Sequence, residues 1–358
     1  MKVLHVITSL CIGGAEKLLV DTIPIYNKKG VETDVLVFQG RQTPFRKQLE
    51  EQGCRVFQLS EDRNVYNPIN IIKIIPYLKK YDVVHTHNTA SQLFVAIASV
   101  LCSVVLCTTE HTTSNRRRSW KWYVPIDRFM YQRYKHIICI SDKTEENLRN
   151  YIGDVAIGIS TIYNGVDVTK YFSALANPAF KRNGSKYILC MVAGFRYQKD
   201  QDTIIRAFRF LDKSLFELWL VGDGERRAAL EQLVEAEGIK DNVRFWGIRT
   251  NIPEIMKTAD VVVMSSHWEG FGLAAVEGMA AGKPVIASDI DGLSQVVDGA
   301  GLLFPKGDEK ALASCILEIY EDKDYYQRLS ELSVERAKEF DLSHMVNQYI
   351  KIYHRITE

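Results

Sequence analysis

Between Gly194 and Glu277 the charged and glycine residues have types and spacing suited to a polyhydroxylated phosphate ester. The run Gly194-Phe195-Arg196-Tyr197-Gln198-Lys199 sets two cations, Arg196 and Lys199, behind a glycine. They could neutralise a diphosphate. Further on, Ser266-His267-Trp268-Glu269-Gly270-Phe271-Gly272-Leu273 places Glu269 in a glycine loop, with Glu277 along the helix that follows. Carboxylates accept hydrogen bonds from hydroxyls, and the N–H groups opening a helix at Phe271, Gly272 and Leu273 favour an anion. An anion flanked by two hydroxylated groups fits this set, as in a sugar joined to a nucleotide through diphosphate. Two glutamates on a solvated helix face are the competing reading.

Three other segments carry chemistry. Ser9-Leu10-Cys11-Ile12-Gly13-Gly14-Ala15-Glu16 is a turn where Gly13 and Gly14 would let a phosphate approach the backbone. The Gly-x-Gly-x-x-Gly fingerprint is absent, which argues against a dehydrogenase. Arg116-Arg117-Arg118-Ser119-Trp120-Lys121-Trp122-Tyr123 crowds four cations around three aromatics, as suits an anionic membrane surface or a lipid-linked diphosphate. A solvated helix face with Trp120 or Trp122 packed inward is the alternative there, and no recognition motif supports nucleic acid. His85-Thr86-His87 puts two imidazoles on one strand face, but without a neighbouring cysteine or carboxylate it reads as a structural pair, and no metal site is expected.

These segments need a scaffold. Short apolar runs recur with helical patterns between them: 3–8, 33–38, 55–59, 82–86, 104–109, 136–140 and 159–163, then 187–192, 216–221, 243–246, 261–264, 284–288 and 302–304. Such runs predict strands covered on both faces, hence parallel α/β sheets. A polar stretch over 173–186 separates the two series. The expected architecture is therefore two doubly wound, Rossmann-like domains, 1–172 and 173–342, facing a central cleft, with ligands beyond the carboxyl ends of the strands. Asp341 offers an N-cap to a terminal helix over 343–358, expected to pack back on the first domain.

Size and composition agree. At 358 residues with 46% hydrophobic and 25% charged, the chain exceeds what one core usually organises and is neither disordered nor a small disulfide scaffold. The net charge of +1 argues against a dedicated polyanion binder, although residues 1–170 carry 22 basic against 16 acidic groups. Seven scattered cysteines suit a reducing cytosol. The opening strand reads as no targeting signal, and the apolar stretch from Leu93 to Cys107 is too short to span a membrane.

Taken together, the motifs resemble the retaining glycosyltransferases of the GT-B fold, family four. Glu269 and Glu277 match the E-x7-E signature, Arg196 and Lys199 the diphosphate pair, and Leu220-Val221-Gly222-Asp223-Gly224 the next strand and loop. Gly13-Gly14-Ala15-Glu16, Glu110-His111-Thr112, Ser141-Asp142 and Asn164-Gly165-Val166-Asp167 follow the family in order and spacing. Two positions depart: Asp200 stands where the family usually has glycine, and Asp291-Gly292-Leu293-Ser294-Gln295 replaces Gly-Gly-x-Pro-Glu. The resemblance implies transfer of a sugar from a UDP- or GDP-sugar donor to a hydroxyl of a glycan or lipid-linked acceptor, with configuration retained. Neither metal nor cofactor is implied. Glu269 would hold donor-sugar hydroxyls, Glu277 the ribose, and His111 the sugar near its reacting carbon. Cell-surface polysaccharide, capsule or lipopolysaccharide assembly would be the setting, in the cytoplasm or on the inner membrane face. An epimerase or phosphorylase with a similar two-domain cleft and a non-catalytic nucleotide-sugar-binding protein stay open as alternatives.

Overall fold

A computed structural model of the chain describes residues 1–11, 13–61, 64–112, 118, 120–153, 157–182 and 186–358. By contact the chain divides into two compact units: Met1–Gly165 with Leu342–Glu358, and Val166–Asp341. Each is built on a parallel sheet.

The first unit contains β1 (Lys2–Ile7), β2 (Glu32–Gln39), β3 (Val56–Ser60), β4 (Val83–Thr86), β5 (Val105–Glu110), β6 (His136–Cys139) and β7 (Gly158–Thr161). Their order among the described residues is β3-β2-β1-β4-β5-β6-β7. In the second unit, β8 (Tyr187–Val192), β9 (Phe216–Val221), β10 (Val243–Gly247), β11 (Val261–Met264), β12 (Val285–Ser288) and β13 (Leu302–Phe304) run in the order β10-β9-β8-β11-β12-β13. Strands such as Val261-Val262-Val263-Met264 are buried along their whole length, because helices cover both faces of the sheet. Strand order reverses between β1 and β4, and again between β8 and β11. Loops leaving these strands therefore diverge, and a crevice opens at their carboxyl ends in each unit.

The first unit ends at Gly165, earlier than the 172/173 boundary expected from composition. The reason is packing: the helix Val168–Phe172 lies against the helices Ile252–Thr258 and Leu273–Ala280 of the second unit. At the other end, the helix Leu342–Thr357 returns to the first unit. Its Met345, Val346, Tyr349, Ile352 and Tyr353 share a core with Val3, Tyr26, Val83, Cys107 and Ile138. The apolar stretch from Leu93 resolves into the end of the helix Thr89–Ala98, a 3₁₀ turn Ser99–Leu101 and β5. No helix among the described residues is long and apolar enough to cross a membrane.

Candidate functional site

In the second unit the expected site residues converge where β8 and β11 end. Arg196 follows β8 on an exposed turn, and a 3₁₀ turn Tyr197–Lys199 carries the second cation. Lys199 does not stand alone: its ammonium pairs with the carboxylate of Glu269 from the loop after β11. The same Glu269 Oε1 accepts the hydroxyl of Ser266 at 3.0 Å. Glu269 was expected to be free for a ligand, yet it is 9% exposed and already holds a cation. A buried carboxylate needs such a partner. The two loops are also tied through backbone, with His267 N–H donating to Gln198 O at 2.8 Å and the Gln198 amide to Trp268 O at 2.9 Å.

The glycine loop ends at Gly272, whose φ of +85° caps the helix Leu273–Ala280. That conformation moves the helix start from the expected Phe271 to Leu273. Phe271 turns its ring inward, 2% exposed, against Phe340, while Gly270 and Leu273 stay partly exposed along the loop and Gly194 is exposed after β8. Glu277 lies one to two turns into the helix, buried at 6% exposure.

Both departures from the family pattern acquire a structural setting. Asp200 has φ +48° and ψ +53°, the left-handed region that favours glycine. Its carboxylate accepts Thr203 Oγ1 at 2.6 Å and lies 3.5 Å from His267 Nδ1. Local hydrogen bonding of this kind is what lets aspartate occupy the position. In the loop after β12, a Cβ at Gly292 would collide with the carbonyl oxygen of Glu269. Glycine there is required by the close approach of the Glu269 backbone, although the surrounding sequence differs from the family.

The first unit holds the other expected residues. Gly13, extended at φ −166°, caps the helix Gly14–Lys28 that follows β1. Glu16 lies so close over Gly13 that a Cβ would clash with its carboxylate, and burial raises that carboxyl above its ordinary range. A phosphate at this turn requires Glu16 to swing away. His111, just past β5, is half-buried and belongs to a group that sequence reading did not assemble. His87 Nδ1 is 3.2 Å from His111 Nε2, and His87 Nε2 is 2.9 Å from His5 Nδ1. His85, opposite His5 in the β1–β4 register, has Nδ1 2.5 Å from the Tyr353 hydroxyl and Nε2 2.8 Å from Thr109 Oγ1. The signal for His5 was faint, a single histidine in an apolar strand, and Tyr353 lies 268 positions from its partner.

Burial, uncompensated by any carboxylate strong enough to reverse it, depresses these imidazoles. His5 falls to about 3 and His111 to about 4, and His85 and His87 lie well below the ordinary range. All four are neutral at pH 7. One ligand atom each from His5, His85 and His87 fall within 4.8 Å of one another. A metal ion there would have to break hydrogen bonds that presently engage both ring nitrogens of His85 and of His87, whereas His5 Nε2 has no hydrogen-bond partner among the described residues.

The basic aromatic segment is split. Arg118 faces inward, 2.9 Å from Glu110 Oε2 with its side chain 10% exposed, rather than onto a membrane-facing surface. Glu110 ends β5 and also accepts Gln92 Nε2 at 2.7 Å and Tyr131 OH at 2.8 Å, so its buried charge captures the nearest guanidinium. Trp120 and Trp122 point outward, 43% and 66% exposed, and stack with centroids 5.7 Å apart. Neither is packed inward as the alternative reading had it. Arg116, Arg117 and the side chain of Lys121 lie outside the described residues.

Comparison with known proteins matches this architecture. Residues 175–336 match the family model for glycosyl transferases group 1, and residues 12–170 that for Glycosyltransferase Family 4. The chain is 25% identical to the lipopolysaccharide core biosynthesis glycosyltransferase LpsD of Rhizobium meliloti, over 99% of this chain and 98% of that protein. It is 30% identical to N-acetyl-alpha-D-glucosaminyl L-malate synthase of Bacillus anthracis, over 55% of this chain and 54% of that protein. Among solved structures, Anabaena Alr3699/HepE in complex with UDP-glucose superposes with a TM-score of 0.87 at 24% identity, covering 99% of this chain and 100% of that one.

Proposed function

Because the chain belongs to the group 1 glycosyltransferases of GT-B fold, we propose that it moves a sugar from a nucleoside diphosphate sugar to a hydroxyl of a glycan or lipid-linked acceptor, with retained anomeric configuration. The observation that carries this reading is the joining of Lys199, Glu269 and Ser266 beside Arg196 at the carboxyl ends of β8 and β11. Cleavage of the donor builds negative charge on the leaving diphosphate and positive charge on the sugar. Fixed donors at the diphosphate then stabilise the transition state more than the bound substrate.

Arg196, Lys199 and the helix N-terminus at Gly272–Leu273 would serve the diphosphate. An ammonium has three protons to donate, so Lys199 can hold Glu269 and a phosphate oxygen together. Glu269, steadied in this way, would accept from donor-sugar hydroxyls, and Glu277 from the ribose. His111 would contact the donor sugar near its reacting carbon. The cations supply the charge that a divalent ion would otherwise bring, so catalysis needs neither metal nor cofactor in this reading. The UDP-glucose held by the Anabaena protein and the lipopolysaccharide role in the name of LpsD support a UDP-sugar donor and cell-surface glycan assembly. A cytoplasmic setting, with Trp120 and Trp122 touching the membrane face, agrees with seven unpaired cysteines and the exposed indole pair.

The test is a thermal-shift screen of UDP- and GDP-sugars, since a ligand that binds the native state raises the melting temperature by mass action. Transfer to glycan and lipid-linked acceptors follows with each donor that binds. Donor consumption without any acceptor would indicate epimerisation instead, and an absence of stabilisation by every donor would end the proposal.

A further inference from the structure

The imidazoles of the first unit form a chain with a direction. His5 Nδ1 meets His87 Nε2 at 2.9 Å, and His87 Nδ1 meets His111 Nε2 at 3.2 Å. Each contact joins two ring nitrogens, so one must carry the proton and the other must accept it. Burial keeps the rings neutral, with one proton apiece. Two arrangements satisfy both contacts: protons on all three Nδ1 atoms, or on all three Nε2 atoms.

The closed end of the chain distinguishes them. His5 is 1% exposed, and its Nε2 has no hydrogen-bond partner among the described residues. In the first arrangement that atom is a bare lone pair. In the second it is an N–H without an acceptor, which a protein interior tolerates less well. His85 cannot relieve it. Although His85 stacks on His87 with centroids 4.3 Å apart, its own nitrogens are engaged by Tyr353 and Thr109.

We propose that His5 and His87 lock His111 as its Nδ1–H tautomer, so that His111 meets the substrate as a hydrogen-bond donor and not as a base. His87 is then a positioning residue that acts through His111. The assignment deepens the reading in which His111 contacts the donor sugar, and it limits what that contact can be. Nδ1–H would reach an acceptor oxygen, a sugar hydroxyl or phosphate oxygen, and would leave deprotonation of the incoming hydroxyl to another group. Reversing the polarity would require every ring in the chain to change tautomer.

Histidine-selective ¹⁵N labelling of the whole, ligand-free chain tests this, because long-range nitrogen–proton correlations separate protonated from bare ring nitrogens. The eight histidines are assigned by single His→Gln variants. At neutral pH, His111 should show a protonated Nδ1 and a bare Nε2. His87→Phe, which removes the donor, should release His111 toward Nε2–H, the form imidazole prefers in water. His87→Gln, whose amide can still donate, should keep Nδ1–H. In transfer assays His87→Phe should lower kcat on the order of tenfold, the scale of an outer partner of a working histidine, with little change in donor KM, and His87→Gln should recover most of it. An Nε2–H tautomer at His111 in the wild type overturns the proposal, as does an unchanged tautomer in His87→Phe. Should His87→Phe not fold, the wild-type spectrum still decides. If the wild type binds no donor at all, the functional reading fails while the tautomer result stands on its own.

Discussion

Lys199 and Glu269, seventy positions apart, are paired through their side chains, and Ser266 adds its hydroxyl to the same carboxylate oxygen at 3.0 Å. A cation assigned to phosphate and a carboxylate assigned to hydroxyls thus act as one unit. Their contributions to transfer should not add. Glu269→Ala and Lys199→Ala are each expected to lower kcat on the order of 10²- to 10³-fold, as loss of a fixed transition-state contact does. The double variant should lose far less than the product of the two. Steady-state kinetics on the three variants, with circular dichroism to verify folding, measures the coupling. Additive losses would separate the residues, and unaffected transfer in Glu269→Ala would remove that residue from the site.

Arg118 should matter for stability before it matters for any membrane. Its guanidinium and the Glu110 carboxylate are both buried, at 10% and 5% side-chain exposure. Arg118→Ala strands a buried carboxylate and is expected to cost about 3–5 kcal/mol. Pairing it with Glu110→Gln should recover part of that. Urea denaturation of the single and double variants reads the difference. A cost below about 0.5 kcal/mol, the size of an ordinary surface change, would show that the pair does not hold in solution.

Acidification should destabilise the first unit. The unfolded chain binds protons at His5 and His111 near pH 6.5, whereas the folded chain resists until about 3 and about 4 respectively. In that window the unfolded state carries more protons, so stability rises with pH and is lost as pH falls. Each such group contributes a slope of about 1.4 kcal/mol per pH unit. Melting temperatures from pH 7 down to pH 5 should therefore fall in the wild type and fall less in His5→Phe. Equal slopes in the two proteins would show that His5 is not linked to folding.

The outward indoles offer a membrane test that leaves Arg118 in place. Trp120→Ala combined with Trp122→Ala should reduce cosedimentation with anionic phospholipid vesicles and leave transfer to a soluble acceptor analogue nearly unchanged. Undiminished sedimentation would remove the membrane role from this segment.

Transfer should also survive a strong chelator. Dialysis against EDTA followed by assay with and without added Mg²⁺ or Mn²⁺ decides it. Activity that is abolished by the chelator and restored only by a divalent ion would contradict the assignment of the charge to Arg196 and Lys199.

Much of the fold could be read directly. Tyr187–Val192, Phe216–Val221, Val261–Met264 and Leu302–Phe304 form strands at the residues their apolar runs predict, because a strand buried on both faces must be apolar throughout. Loops that carry Arg196, Lys199 and Glu269 were legible for a related reason. Ligand residues in an open parallel sheet follow strand ends, and strand ends are visible as punctuation. The domain boundary was less visible, since the helix Val168–Phe172 follows its packing partners and not the change in composition.

The linear order of residues determined that two parallel sheets form, which loops stand at their carboxyl ends, and which charges those loops carry, since periodicity and turn chemistry are local properties. Folding in three dimensions decided partnership. Only the packed chain shows that Glu269 is held by Lys199, that Glu110 draws Arg118 away from the surface, and that His5 and His87 stand behind His111. Each of these depends on which buried polar group lies within about 3 Å of another, a distance fixed by strand order and register and not by spacing along the chain.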